Sequence, residues 1–147
     1  MADKRGAGRS GGPGASGGLS ILWAEDDRQD QQLIRAALED SRPSPDVTFV
    51  EDGVSLLQGV GAALPGLVVL DLKMPRMGGL DALRRLREEP ATRHVPVIVF
   101  SSGSMPDEIA QCRALGVLDT VQKPIEFGAF VAAVQGIVRT ASALHAD

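Results

Sequence analysis

From Leu19 onward the chain alternates short apolar runs with stretches of helical spacing, five times over. Residues 67–70 (Leu-Val-Val-Leu) and 97–100 (Val-Ile-Val-Phe) are near-continuous apolar runs, rich in β-branched side chains and too short for a helix. Each predicts a strand buried on both faces. Residues 20–24 predict a first strand and 117–121 a fifth, while 47–50, with its alternation, suits a more peripheral second strand. Between these runs Leu33, Ile34, Ala37 and Leu38 form the apolar stripe of a first helix that Pro43 and Pro45 bring to an end. The second helix, 54–63, is weakened by Gly59 and Gly61, at up to about 1 kcal/mol each relative to alanine. Met77, Leu80, Leu83 and Leu86 stripe a third helix that stops at Pro90. Ser104-Met-Pro-Asp107 reads as a capping box with Asp in the last place, opening a fourth helix with proline in its first turn. Phe127, Phe130, Val131, Val134, Ile137 and Val138 give the fifth helix a broad apolar face.

Five βα units with uniformly short loops imply parallel strands, right-handed crossovers and helices on both faces. The predicted fold is therefore α/β, a doubly wound five-stranded parallel sheet of flavodoxin-like order 2-1-3-4-5. Strands one and three then lie on opposite sides of the switch point, and their C-terminal ends meet where open α/β sheets bind ligands.

At 147 residues the chain has room for one domain of ordinary size. Residues 1–18, with seven glycines and no bulky apolar residue beyond Met1, predict a flexible tail; 19–141 form the domain and 142–147 a short C-terminal tail. A net charge of −4 argues against nucleic-acid binding, which calls for a basic surplus. Arg76, Arg84, Arg85, Arg87 and Arg93 are interleaved with Asp81, Glu88 and Glu89, the pattern of a solvated helix face. Cys112 is the lone cysteine, so no internal disulfide forms, which fits a reducing compartment; its spacing with Ile109 and Leu115 predicts a buried, inert thiol. No apolar run approaches the roughly 18 residues of a membrane span, and no hydrophobic segment directly follows the basic N-terminus, so a cytoplasmic location is the default.

The strand ends carry the chemistry. The first strand ends in Glu25-Asp26-Asp27 and the third in Asp71, followed by the breaker Met-Pro-Arg-Met-Gly-Gly. Carboxylates converging on one crevice raise each other's pKa or demand a cation, and an all-oxygen site suits Mg²⁺. Asp27 is assigned to capping the first helix, Glu25 and Asp26 to the metal. The loop has no glycine and repels anions, so it does not cradle a nucleotide phosphate directly. The fourth strand brings the Ser101 hydroxyl to this rim and the fifth the Lys123 ammonium. Together these groups suit phosphoryl transfer to a carboxylate: Asp71 as nucleophile, Mg²⁺ on Glu25 and Asp26, Lys123 and Ser101 on phosphoryl oxygens.

The motifs Ile-Leu-Trp-Ala-Glu25-Asp26-Asp27, Val-Val-Leu-Asp71 with Met74-Pro75 and Gly79, Val-Ile-Val-Phe-Ser101-Ser102, and Lys123-Pro124 resemble the receiver domains of two-component response regulators from about residue 19 to 139. The resemblance implies that Asp71 is the phosphoacceptor and that a histidine kinase or phosphotransfer protein is the donor. It implies Mg²⁺ on Glu25, Asp26, Asp71 and the Lys73 backbone carbonyl, Ser101 as switch hydroxyl with Lys123 its partner, and a cis Lys123–Pro124 bond. Thr120 stands where the family commonly has a switching Tyr or Phe, which puts aromatic coupling in doubt. Lys73 and Ser102 are candidate modulators, Lys73 either pairing with the phosphoryl group or acid cluster or remaining solvated. Gly78 replaces an Asp often found before Gly79.

About seven residues follow the fifth helix, so output is expected to pass through protein contacts, as in the stand-alone regulators paired with phytochrome-like and hybrid histidine kinases that this chain also resembles. The fifth helix lacks charge between Glu126 and Arg139, and Ala129, Ala132, Ala133 and Gly136 line its outer face, pointing to a partner or homodimer or to an ordinary alanine-rich helix. Two other readings stand beside this one: a receiver-like scaffold acting without phosphorylation, and a small Mg²⁺-dependent aspartyl-phosphate phosphohydrolase. The second is disfavoured because Lys73 occupies the place of its general-acid Asp.

Overall fold

The computed structural model describes residues 19–42 and 44–145; the predicted N-terminal tail, Pro43 and the last two residues lie outside them. The elements run β1 (Ser20–Ala24), α1 (Arg28–Leu38), β2 (Asp46–Val50), α2 (Gly53–Ala62), β3 (Leu67–Leu70), α3 (Gly79–Glu88), β4 (Val97–Ser101), α4 (Pro106–Ala114), β5 (Asp119–Gln122) and α5 (Phe127–Leu144). All strand pairs are parallel, in the order β2-β1-β3-β4-β5. This is the doubly wound topology that the alternation predicted, with β1 beside β3 at the switch point.

The continuous apolar runs are needed because strand side chains alternate between two covered faces. Ile21 and Trp23, Leu67 and Val69, and Ile98 and Phe100 pack beneath α1 and α5. Leu22 and Ala24, Val68 and Leu70, and Val97 and Val99 pack beneath α2, α3 and α4. The first layer is stitched by aromatic contacts, Phe100 to Phe130 at 5.4 Å and Trp23 to Phe100 at 6.1 Å between ring centroids. In the second, Gly59 of α2 permits a close approach, since a Cβ there would lie 3.0 Å from Leu22 Cδ2. Its low helix propensity is the cost of that fit. Cys112 is wholly buried in the same layer, and burial pushes its thiol up.

Four local expectations change. The cap of α4 is Met105, whose N–H donates to Glu108 Oε1 at 3.1 Å, and not Ser104 with Asp107. Pro106 takes the first helical position, where its missing N–H is harmless, and that shifts the box by one residue. β5 starts at Asp119 because Gly116, at φ 78°, and Val117 are spent closing α4. α5 continues to Leu144, past the boundary placed after 141, and a His145 ring nitrogen lies 2.9 Å from the Gly66 carbonyl. Phe127 is 58% exposed, since it stands at the helix start, ahead of the sheet contact that Phe130 begins.

Two arginines also leave the predicted solvated face. Arg87 donates to the carbonyls of Leu115 (2.7 Å), Val95 (2.8 Å) and Arg93 (3.2 Å), tying α3 to the loops below the sheet. Arg76 joins Asp52, described below. α5, at 18 residues and mean hydropathy 1.4, has the length and composition of a membrane span, contrary to the expected lack of any such run. Its Phe130, Val134, Ile137, Val138 and Ala141 are packed into the first layer, which accounts for part of that character.

Candidate functional site

Alternation along β3 places Asp71 one step past a fully buried strand, on the α1 side of the sheet, with 6% of its surface exposed. Both carboxylate oxygens are held. Oδ1 accepts from Ser101 Oγ at 2.8 Å and from the Lys73 N–H at 3.1 Å. Oδ2 accepts from Lys123 Nζ at 2.9 Å. Ser101 ends β4, one hydrogen-bonded strand away, and its oxygen also accepts from the Leu72 N–H at 3.4 Å. Lys123 follows β5 and is placed by its own N–H, which donates to the Ser101 carbonyl at 2.9 Å.

Lys123 is 9% exposed and faces three carboxylates: Glu25 Oε1 at 2.6 Å, Asp30 Oδ2 at 2.9 Å and Asp71 Oδ2 at 2.9 Å. Burial alone would lower the ammonium's pKa; its bonds to Glu25, Asp30 and Asp71 outweigh that and hold it above the ordinary lysine value. Glu25 is fully buried, and burial pushes its carboxyl up to about 7 against the opposing pull of Lys123. Its Oε2 accepts from the Asp27 N–H at 3.1 Å, whereas Oε1 has the ion pair with Lys123 and no hydrogen bond of good angle. Asp27 caps α1, accepting from the N–H groups of Gln29 and Asp30, as expected.

Glu25, Asp26 and Asp71 can each offer one carboxylate oxygen, and these oxygens lie within 4.8 Å of one another. Asp26 is exposed while the other two are buried, so the set opens to solvent on one side. Three hard anionic donors, one with an oxygen short of a hydrogen bond, fit a small divalent cation such as Mg²⁺.

The remaining residues singled out from sequence are more scattered. The Lys73 ammonium lies beside Gly103, where an added Cβ would sit 3.1 Å from its Nζ. Ser102 is exposed. Thr120 is half-buried and accepts from Arg113 of α4 at 3.1 Å. It lines a cavity of about 210 Å³ with Val99, Ser101, Ser104, Ile109 and Gln122. An aromatic side chain would fill that space; threonine leaves it open.

Sequence reasoning missed two participants. Asp30, in the first turn of α1, reaches Lys123 because Asp71 and Lys123 both lie on the α1 side of the sheet; strand parity signals the shared side, but not that Asp30 comes within reach. Asp52 caps α2 through the Ser55 N–H (2.7 Å) and accepts from Arg76 Nε at 3.0 Å. The Ser55 N–H and the Arg76 guanidinium hold its carboxyl below the usual range. Arg76 has φ 65°, a left-handed conformation rare for a residue with a Cβ. Its bond to Asp52, with the Gly53 N–H donating to the Met77 carbonyl at 2.9 Å, fixes the loop after Asp71 to α2.

The fold and site together define a doubly wound α/β protein whose switch point gathers an acid cluster, a hydroxyl and an ammonium around one aspartate. The description "Response regulator receiver domain" matches residues 21–135. The chain is 30% identical over 120 residues to the two-component response regulator ARR17 of Arabidopsis thaliana, covering 74% of this chain and 77% of that protein. It is 35% identical over 109 residues to the cyclic di-GMP phosphodiesterase response regulator RpfG of Xanthomonas campestris pv. campestris, covering 74% of this chain but only 29% of that longer protein. The solved structure of the phosphorylated cyanobacterial phytochrome response regulator RcpA superposes with a TM-score of 0.81 at 26% identity, covering 88% of this chain and 97% of that one. The chain belongs to the response regulator receiver domain family.

Proposed function

We propose that this receiver takes a phosphoryl group on Asp71 from a histidine kinase or phosphotransfer protein and signals, or relays or sinks the group, through protein contacts in the cytoplasm, without binding nucleic acid. The observation that carries the reading is the pairing of one buried carboxylate with two different side chains, Ser101 on Oδ1 and Lys123 on Oδ2. A carboxylate oxygen of Asp71 attacks phosphorus; the bond to the donor's imidazole nitrogen breaks, its electron pair stays on that nitrogen, and an acyl phosphate forms. Lys123 and Ser101 then bind phosphoryl oxygens, their donors already aimed at the place where that charge appears. Glu25, Asp26 and Asp71, with the Lys73 carbonyl, would hold Mg²⁺, which when bound offsets the negative charge of the phosphoryl oxygens. Receivers are signalling modules without a separate catalytic activity, and self-catalysed transfer and hydrolysis are the whole chemistry proposed here. The uncharged, partly exposed outer face of α5 supports a homodimer or another partner there.

The test is intact-protein mass after incubation with Mg²⁺ and acetyl phosphate. One added phosphoryl group, lost in mild base and absent from Asp71→Asn or without Mg²⁺, is expected. No adduct together with no binding of beryllofluoride would overturn the reading and leave an unphosphorylated scaffold.

A further inference from the structure

A lysine ammonium has three N–H donors, and in this structure Lys123 donates to Asp30 and Asp71 and forms an ion pair with Glu25. Two of those partners change on the proposed reaction. Glu25 belongs to the oxygen cluster suited to a divalent cation, and the Asp71 carboxylate becomes the neutral acyl half of a mixed anhydride, so both carboxyl groups lose negative charge toward the ammonium. Asp30 takes part in neither change. It lies outside the cation cluster, on the first turn of α1, and keeps its full charge 2.9 Å from Nζ. Its side chain is 25% exposed, so it is partly desolvated without being sealed in.

From this we infer that Asp30 is a positioning residue for phosphoryl transfer: it anchors the Lys123 ammonium beside Asp71 once metal and phosphoryl group have taken the other two partners. The inference rests on the phosphoacceptor reading and adds a residue to it. Without Asp30 the long Lys123 side chain has no fixed acceptor besides the incoming phosphoryl group, so its ordering falls on the reaction itself. The bland role for Asp30 is a favourable charge near the N-terminus of α1. That role does not involve Lys123.

A double-mutant cycle in the full chain separates the two. Phosphorylation by acetyl phosphate with Mg²⁺ is timed by intact mass for wild type, Asp30→Asn, Lys123→Met and the double variant, with Lys123→Gln as a second background if Lys123→Met does not fold. Beryllofluoride affinity and thermal stability are measured in parallel. Losing one charge-assisted hydrogen bond is expected to slow Asp30→Asn about tenfold. Asp30→Glu, which keeps the charge, should restore most of the rate. In either Lys123 background Asp30→Asn should have no further effect. An equal slowing with and without Lys123, a slowing that only follows thermal stability, or no slowing at all would overturn the inference while leaving the phosphoacceptor reading intact. A wild-type protein that takes neither phosphoryl group nor beryllofluoride would overturn both, and is told apart by that absence.

Discussion

Around Asp71, side chains from β4, α1 and the segments after β1 and β5 meet within hydrogen-bond distance, whereas the same rim between Ser101 and Thr120 encloses about 210 Å³ of open cavity. The first region is also braced from below: Asp52 and Gly53 of the α2 start hold the loop after β3, and the Gly79 N–H donates back to the Leu72 carbonyl at 3.0 Å. The second region has little bracing. α4 buries only Cys112 fully, Ser104 Oγ is buried without a partner, and Met105 is 63% exposed. Groups that must meet a reacting atom need fixed positions, while a segment that reports the reaction needs two accessible arrangements. Under the proposed function, the braced half would carry the reaction and the loose half the response, on adjoining strands, with Ser101 shared by both.

The largest effect is expected from removing the cation at the centre of the braced half. Lys123→Met should slow phosphorylation by acetyl phosphate about a hundredfold, since one preorganised contact to the transferring group is lost; intact mass against time measures it. Next comes the brace beneath Asp71. A Cβ on Gly79 would meet the Asp71 carbonyl oxygen and lie 2.8 Å from the Leu72 Cα, backbone atoms that cannot swing aside. Gly79→Ala should therefore cost about 2 kcal/mol of stability in urea unfolding, and lower the phosphorylation rate by displacing the acceptor.

The Asp52 bond gives a pH test. Its carboxyl is held below the ordinary range, so the folded state releases that proton more readily than the unfolded chain. The resulting stability is present above the unfolded carboxylate pKa of about 4 and is lost as pH falls through the depressed folded value. Asp52→Asn keeps a cap acceptor but removes the charge, and should flatten the acid limb of urea midpoint against pH; an unchanged limb would show that Asp52 does not supply it. The smallest effect is expected in the loose half. Thr120→Val removes only the hydroxyl that Arg113 contacts and should change stability by less than about 0.5 kcal/mol, leaving the phosphorylation rate within about twofold. A large loss would show the loose half to be more tightly coupled than its packing indicates.

What the chain's order of residues determined by itself was the sheet and the set of strand ends. Buried parallel strands require continuous apolar runs, and breaks in those runs place Glu25, Asp71, Ser101 and Lys123 on one rim whatever the loops do. Only the tertiary structure decided how that rim is wired. That Asp30 shares Lys123 with Glu25 depends on how α1 crosses the sheet. That Arg76 leaves a charge-mixed segment for Asp52 depends on where α2 starts, and that Met105 rather than Ser104 caps α4 depends on the backbone Pro106 imposes. Phe127 has the spacing of a core residue and becomes exposed because α5 begins beyond the sheet's edge. Periodicity reports which face of an element is apolar; a charged side chain's partner depends on distances between elements, which no local pattern contains.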